Sequence, residues 1–199
     1  MTFDLLFALI IFAGITAFTP GPNNTLLMAC GMNYGFRASL PLIAGVAIGF
    51  PFQILCIGLG LGKIFEVYPI LLVFLKVAGA AYMLWLAWKI ANSKPTTDVS
   101  SNPAKPLSFL QGCAFQWVNP KAWIMGVTAI SAYTLAANFY AGLATIVGVF
   151  MFMGFNSASL WAFSGAALKN LMNDPRYFKA INLTLAVLLV ASLAPILWH

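Results

Sequence analysis

The sequence predicts an all-α polytopic membrane protein. Six transmembrane helices form two inverted three-helix repeats, and spans one and four are broken. Three observations carry this. Of 199 residues, 62% are hydrophobic and only 7% charged, against about 25% charged in a soluble domain, so there is too little polar surface to cover a water-soluble globule. Six apolar stretches approach the length of about 20 residues that a hydrocarbon core demands of a helix. Two of those stretches are interrupted by proline at corresponding positions. The same composition excludes a soluble enzyme, a nucleic-acid binder and a disordered tail.

The stretches run over 3–32, 38–61, 67–90, 108–133, 140–166 and 178–198. The first opens Met1-Thr2-Phe3-Asp4 with no basic residues before it, and is expected to be a span rather than a cleaved signal. Small residues in the second (Gly45 and Gly49), third (Gly79-Ala80-Ala81) and fifth (Gly165-Ala166-Ala167) predict close helix packing. Such faces serve a homo-oligomer as well as a monomer. The segment 92–107, NSKPTTDVSSNPAKPL, reads as a solvated linker. It divides one membrane domain into repeat one, 1–91, and repeat two, 108–199.

Basic residues set the orientation. Arg37, then Lys89, Lys94 and Lys105, then Lys169, Arg176 and Lys179 fall on one face; Lys63, beside Glu66, falls on the other. The positive-inside rule places the linker in the cytoplasm and both termini outside. Tyr68, Tyr133, Tyr140 and Trp198 then fall at the outer interface, and Trp85 and Trp88 near the inner one. Cys30, Cys56 and Cys113 lie in apolar runs without metal-ligand spacing and read as small buried hydrophobes. His199 is the one histidine. No metal and no cofactor is expected.

The breaks read Thr19-Pro20-Gly21-Pro22-Asn23-Asn24 and Gln116-Trp117-Val118-Asn119-Pro120-Lys121. Proline inside a helix removes a donor and clashes with the preceding turn, and irregular backbone at membrane depth survives only inside protein or beside a wet cavity. Ala17-Phe18 precedes one break and Ala114-Phe115 the other, and Met28 and Met125 follow at equal distances. Three spans per half make the halves enter from opposite sides, the pattern of secondary transporters.

Asn119-Pro120 is a good helix start, and Thr19-Pro20 or Gly21-Pro22 serve likewise. Each second half-helix then begins inside the membrane with its positive dipole end exposed, and two such ends make an anion site suited to a carboxylate. Lys121, unfavourable in a first helical turn, makes sense beside an anion; its alternative is snorkelling to the surface. Asn119 is otherwise a structural cap. Asn23 and Asn24 either cap or hold a substrate ammonium, and Gln116 stands with them as a substrate-binding candidate. Lys76 either reaches the outer surface or faces the cavity. Asn156, with Ser157 and Ser159, and Asn182 bond either a neighbouring helix or substrate. No Asp or Glu lies deep in a span: Asp4, Glu66, Asp98 and Asp174 are at ends or in loops. A proton relay, if protons are coupled, therefore falls to Lys121 or Lys76, whose charged form burial disfavours.

Thr19-Pro20-Gly21-Pro22-Asn23-Asn24, Gly35-Phe36-Arg37, the run Leu75 to Ala87 (LKVAGAAYMLWLA) and Asn119-Pro120-Lys121 together resemble the LysE/RhtB amino-acid exporters over essentially the whole chain. The first motif is similar to the branch exporting neutral amino acids. The runs Gly79 to Ile90 and Phe115 to Ser131 are similar to the cysteine and O-acetylserine exporters. The resemblance implies efflux of a small amino acid or derivative, homoserine and threonine types included, across the bacterial inner membrane by antiport driven by the proton-motive force. The rivals are a channel or metal-ion exporter, which wants convergent carboxylate, His or thiolate ligands, and a membrane-embedded enzyme, which needs an activated nucleophile.

Overall fold

The computed structural model describes residues 1–61, 67–93, 105–171 and 175–193. Lys63, Glu66, Lys94, Asp98, Asp174, Trp198 and His199, with residues 94–104 of the linker, lie outside them. The described residues form helices α1 (Phe3–Phe18), α2 (Pro22–Tyr34), α3 (Phe36–Cys56), α4 (Pro69–Ala91), α5 (Phe109–Val118), α6 (Pro120–Tyr133), α7 (Phe139–Leu171) and α8 (Pro175–Ala191). A π-turn, Ile57–Leu61, extends α3, and a 3-10 turn, Ala136–Asn138, precedes α7.

Each apolar stretch of the sequence is largely helical over its described residues, and the two expected breaks are present: α1 gives way to α2 across residues 19–21, and α5 to α6 at Asn119. Three helices are long and apolar enough to cross a membrane, Phe36–Leu61, Val73–Ala91 and Ala136–Leu168, and the α1–α2 pair, bent by 50°, makes a fourth. The α5–α6 pair, 10 and 14 residues long, and α8, with 17, fall outside that set. This is a multi-pass helical membrane protein.

Local chemistry explains the helix ends. Thr2 accepts a hydrogen bond from Leu5 N at 3.4 Å, with Asp4 in the first turn of α1, where a negative charge complements the dipole. Ser108 and Gln111 form a capping box: Ser108 Oγ accepts from Gln111 N at 3.3 Å, and Gln111 Oε1 from Ser108 N at 2.9 Å. Single prolines, Pro41 and Pro51, lie within α3 without ending it, as membrane helices tolerate. The first break concentrates two prolines around an extended Gly21, which no helix accommodates.

Glycine sets the packing. A Cβ on Gly31 would strike the Ala162 carbonyl, and one on Gly165 the Met28 carbonyl, so α2 and α7 touch backbone to backbone. Gly45 and Gly49 bring α3 onto α5: a Cβ on Gly45 would strike the Phe109 carbonyl, and one on Gly49 would lie 2.7 Å from Cys113 Cα. Gly79 of α4 abuts Val118, 2.8 Å from such a Cβ. These are the close approaches that small residues permit in membranes.

The core divides into two apolar clusters. One joins Leu26, Leu27 and Met32 of α2 with Leu42, Met83, Phe115 and Leu189. The other joins Leu9 and Ala13 of α1 with Phe50, Ala122, Met125 and Phe150. Thus α2 shares a cluster with α5, and α1 with α6. Hydrogen bonds from Asn23 to Gln116 and from Lys121 to Thr19 bring the two breaks together.

Candidate functional site

The break in a helix exposes carbonyls on one side and N–H groups on the other. At the first break, donors from three other helices meet the carbonyls of α1. Asn24 Nδ2 donates to Ala17 O and Thr19 O, both at 2.8 Å, and Ser157 Oγ of α7 donates to Ala17 O at 2.7 Å. Lys121 Nζ donates to Thr19 O and Thr19 Oγ1, both at 2.9 Å, and to Pro20 O at 3.4 Å. A cation at the carboxyl end of a helix is favourable. The local cost of a lysine in the first turn of α6 is thereby offset by a helix 102 residues away in sequence.

The second break is tied to the first by a reciprocal amide pair. Asn23 Nδ2 donates to Gln116 Oε1 at 2.8 Å, and Gln116 Nε2 donates to Asn23 Oδ1 at 3.1 Å and to Gly112 O at 2.9 Å. Gln116 is fully buried, so this pair matters: a buried amide without partners costs about 1–3 kcal/mol. Asn119 Oδ1 accepts from Lys121 N at 3.1 Å.

The two half-helix starts therefore differ. The amino end of α6 is closed by its own Asn119. The amino end of α2, headed by Gly21 and Pro22, has no side-chain cap, and its dipole points into the gap between the breaks. That gap is a cleft of about 290 Å³ including its mouth. Thr16 and Ala17 of α1, Gly21, Asn23 and Asn24 at the first break, Phe50 of α3, Asn119 at the second break, and Lys121, Ala122 and Met125 of α6 line it. Among the described residues no group of three or more His, Cys, Asp or Glu side chains converges to hold a metal.

Residues 14–194 match the LysE type translocator family. The chain belongs to this family. Among similar curated proteins are the cysteine/O-acetylserine efflux proteins of Escherichia coli strain K12, Escherichia coli O9:H4 strain HS and Shigella sonnei strain Ss046. Each is 38% identical over 194 residues, covering 96% of this chain and 96% of the relative. No solved structure matches the chain significantly. A LysE type translocator is a transporter, not an enzyme.

The translocator's cleft gathers Asn23, Asn24, Asn119 and Lys121 directly, with Pro20, Gly21, Pro22 and Pro120 framing the breaks and Gln116 fixed behind Asn23. Two residues proposed from the sequence are not among them. Asn156 is exposed and donates to Phe152 O of its own helix at 2.8 Å; one residue on is 100° around α7, and there Ser157, not Asn156, reaches the break. Lys76 is half-buried on α4 and does not line the cleft. Asn182 bonds a neighbouring helix: its Oδ1 accepts from Asn33 Nδ2 at 2.9 Å.

Sequence reasoning passed over Thr16, Thr19 as an acceptor, and the apolar wall of Phe50, Ala122 and Met125, whereas Ser157, named with Asn156, does bond a neighbouring helix. It also passed over Gln53, which is fully buried one turn beyond Gly49 and whose two amide atoms find no protein partner. A glutamine within an apolar run is the signal that marks it.

Proposed function

We propose that this translocator exports small neutral amino acids or close derivatives, of the cysteine and O-acetylserine type, across the bacterial inner membrane. The six helical stretches cross as two inverted repeats, 1–91 and 108–199, with both termini outside and segment 92–107 in the cytoplasm. The observation that carries this reading is the meeting of both breaks at one small cleft, where Lys121, Asn23, Asn24 and Asn119 converge. The names of the relatives, which align over nearly the full length, support the substrate class.

In this reading the substrate carboxylate lies between the Lys121 ammonium and the uncapped start of α2. Gln116, through Asn23, holds the two breaks in register, Asn119 caps α6, and Asn24 fixes the end of α1. Rocking of one repeat against the other opens the cleft to each side in turn. Export runs as antiport against protons, and Lys121 is the cleft's own protonatable group. Phe50 and Met125 limit the side chain to small, weakly polar groups.

The test is flux. Proteoliposomes holding the full chain should move labelled cysteine or O-acetylserine against a gradient when a proton gradient is imposed. Lys121→Ala and Asn24→Ala should abolish flux while the purified variants remain monodisperse. Unchanged flux in both variants would remove the site, and the absence of flux for any neutral amino acid in the parent protein would remove the function.

A further inference from the structure

The two ends at the first break lie side by side and carry opposite signs. The carboxyl end of α1 is a negative pole and the amino end of α2 a positive one. A primary ammonium occupies the negative pole in this structure. Lys121 Nζ has three acceptors there, Thr19 O and Thr19 Oγ1 at 2.9 Å and Pro20 O at 3.4 Å, matching the three donors of an –NH₃⁺ group. The occupant comes from another segment on a flexible four-carbon stem. Gly21 gives that stem its room: a Cβ would lie 2.8 Å from Lys121 Cδ and 3.1 Å from Nζ. With φ at −179°, Gly21 is in extended backbone open to any residue, so the missing side chain serves this approach and not the turn. Thr19 and Pro20 are exposed.

We infer that the carboxyl end of α1 is the subsite for the substrate's α-ammonium group, and that Lys121 is its tethered occupant when substrate is absent. This rests on the reading of the cleft as an amino-acid site. A zwitterion matches the paired poles. Its ammonium takes Thr19 O, Thr19 Oγ1 and Pro20 O from Lys121, and its carboxylate faces the open N–H groups of α2. The displaced Lys121 ammonium then pairs with that carboxylate. No covalent bond changes and no proton is gained or lost in the exchange. The substrate class is narrowed to α-amino acids with a free ammonium; N-acylated derivatives lack the group that displaces Lys121.

The experiment uses the full chain in lipid nanodiscs under reducing conditions. Binding is read from the fluorescence of Trp117 and Trp123, whose rings pack at 6.1 Å beside the second break. L-cysteine should bind at least roughly tenfold more tightly than N-acetyl-L-cysteine, the scale of lost bonds to a charged group. Methylammonium, an ammonium without a carboxylate, should raise the melting temperature of Lys121→Met and leave the parent protein unmoved. Equal binding of the two cysteine derivatives, or no response of Lys121→Met to methylammonium, overturns the subsite. If Lys121→Met does not fold, Thr19→Val keeps the lysine and removes one acceptor. It should weaken cysteine binding and leave N-acetylcysteine unchanged, and unaltered cysteine binding overturns the proposal. Cysteine flux inhibited equally by N-acetylcysteine defeats the subsite alone, whereas absent flux defeats the transport reading.

Discussion

At the scale of single residues, polar side chains are costly here and each one's bonds can be followed. Asn24, Gln116, Asn119 and Ser157 are buried and each bonds at one of the two breaks. Among the described residues, Gln53 has both amide atoms buried without a protein partner, and Asn182 Nδ2 is likewise buried without one. Replacing Gln53 by an apolar residue of similar size removes a desolvation cost of about 1–3 kcal/mol. We expect Gln53→Leu to raise the melting temperature of the purified protein. A lower value would mean that the amide is held by a bond essential to the fold. Of the three cysteines expected to be buried, Cys30 is, whereas Cys56 and Cys113 are half-buried, and Cys113 Sγ donates to Gly45 O at 3.4 Å.

Helices are positioned by where their backbones touch. Gly31 on α2 faces Ala162 on α7, and the obstacle to a side chain is a carbonyl, which cannot swing aside. Gly14 on α1 has open space around it. Gly31→Ala should therefore force α2 and α7 apart at a cost of about 1–3 kcal/mol, seen as a lower melting temperature and broader size-exclusion profile. Gly14→Ala should be neutral or slightly stabilising, because alanine favours a helix over glycine by about 1 kcal/mol. Equal behaviour of the two variants would show that the α2–α7 contact is not set by glycine. The cap of α6 is a further control point: Asn119→Ala should cost about 1 kcal/mol, and it also frees Lys121 N.

For the whole molecule, the cleft is lined by Phe50, Ala122 and Met125 of one apolar cluster and by Asn23 and Asn24 of α2, whose apolar residues belong to the other, so the proposed rocking of one repeat against the other would act across it. The proposed topology is open to direct labelling. In a background with Cys30, Cys56 and Cys113 replaced by serine, Thr2→Cys should react with a membrane-impermeant maleimide in intact cells. Asn92→Cys should react only after the membrane is permeabilised. The reverse pattern would invert the orientation, and equal reaction of both would place the two ends of repeat one on the same side.

Much of this was legible before any coordinates. Apolar length marked every helix, and the paired prolines marked both breaks, because a missing N–H and a ring clash act locally, whatever the rest of the chain does. The family motifs named the residues around the first and second breaks for the same reason: they are contiguous in sequence. What only the tertiary structure decided is how those residues bond. Both half-helix starts were expected to present an anion site; Asn119 caps its own start, as its place before Pro120 implied, and only the other is left bare of a side-chain cap. Lys121 was expected to face an anion, and it holds the carboxyl end of α1. Lys76, read as facing either the outer surface or the cavity, and Asn156, read as bonding either a neighbouring helix or substrate, both lie off the cleft; Phe50 lines it, and Ser157 bonds Ala17 O at the first break. Each of these depends on the rotation and approach of helices far apart in sequence, and backbone contacts through Gly31, Gly45, Gly49 and Gly165 set that geometry. Composition prescribes which segments enter the membrane; the close approach of their backbones selects which side chains meet.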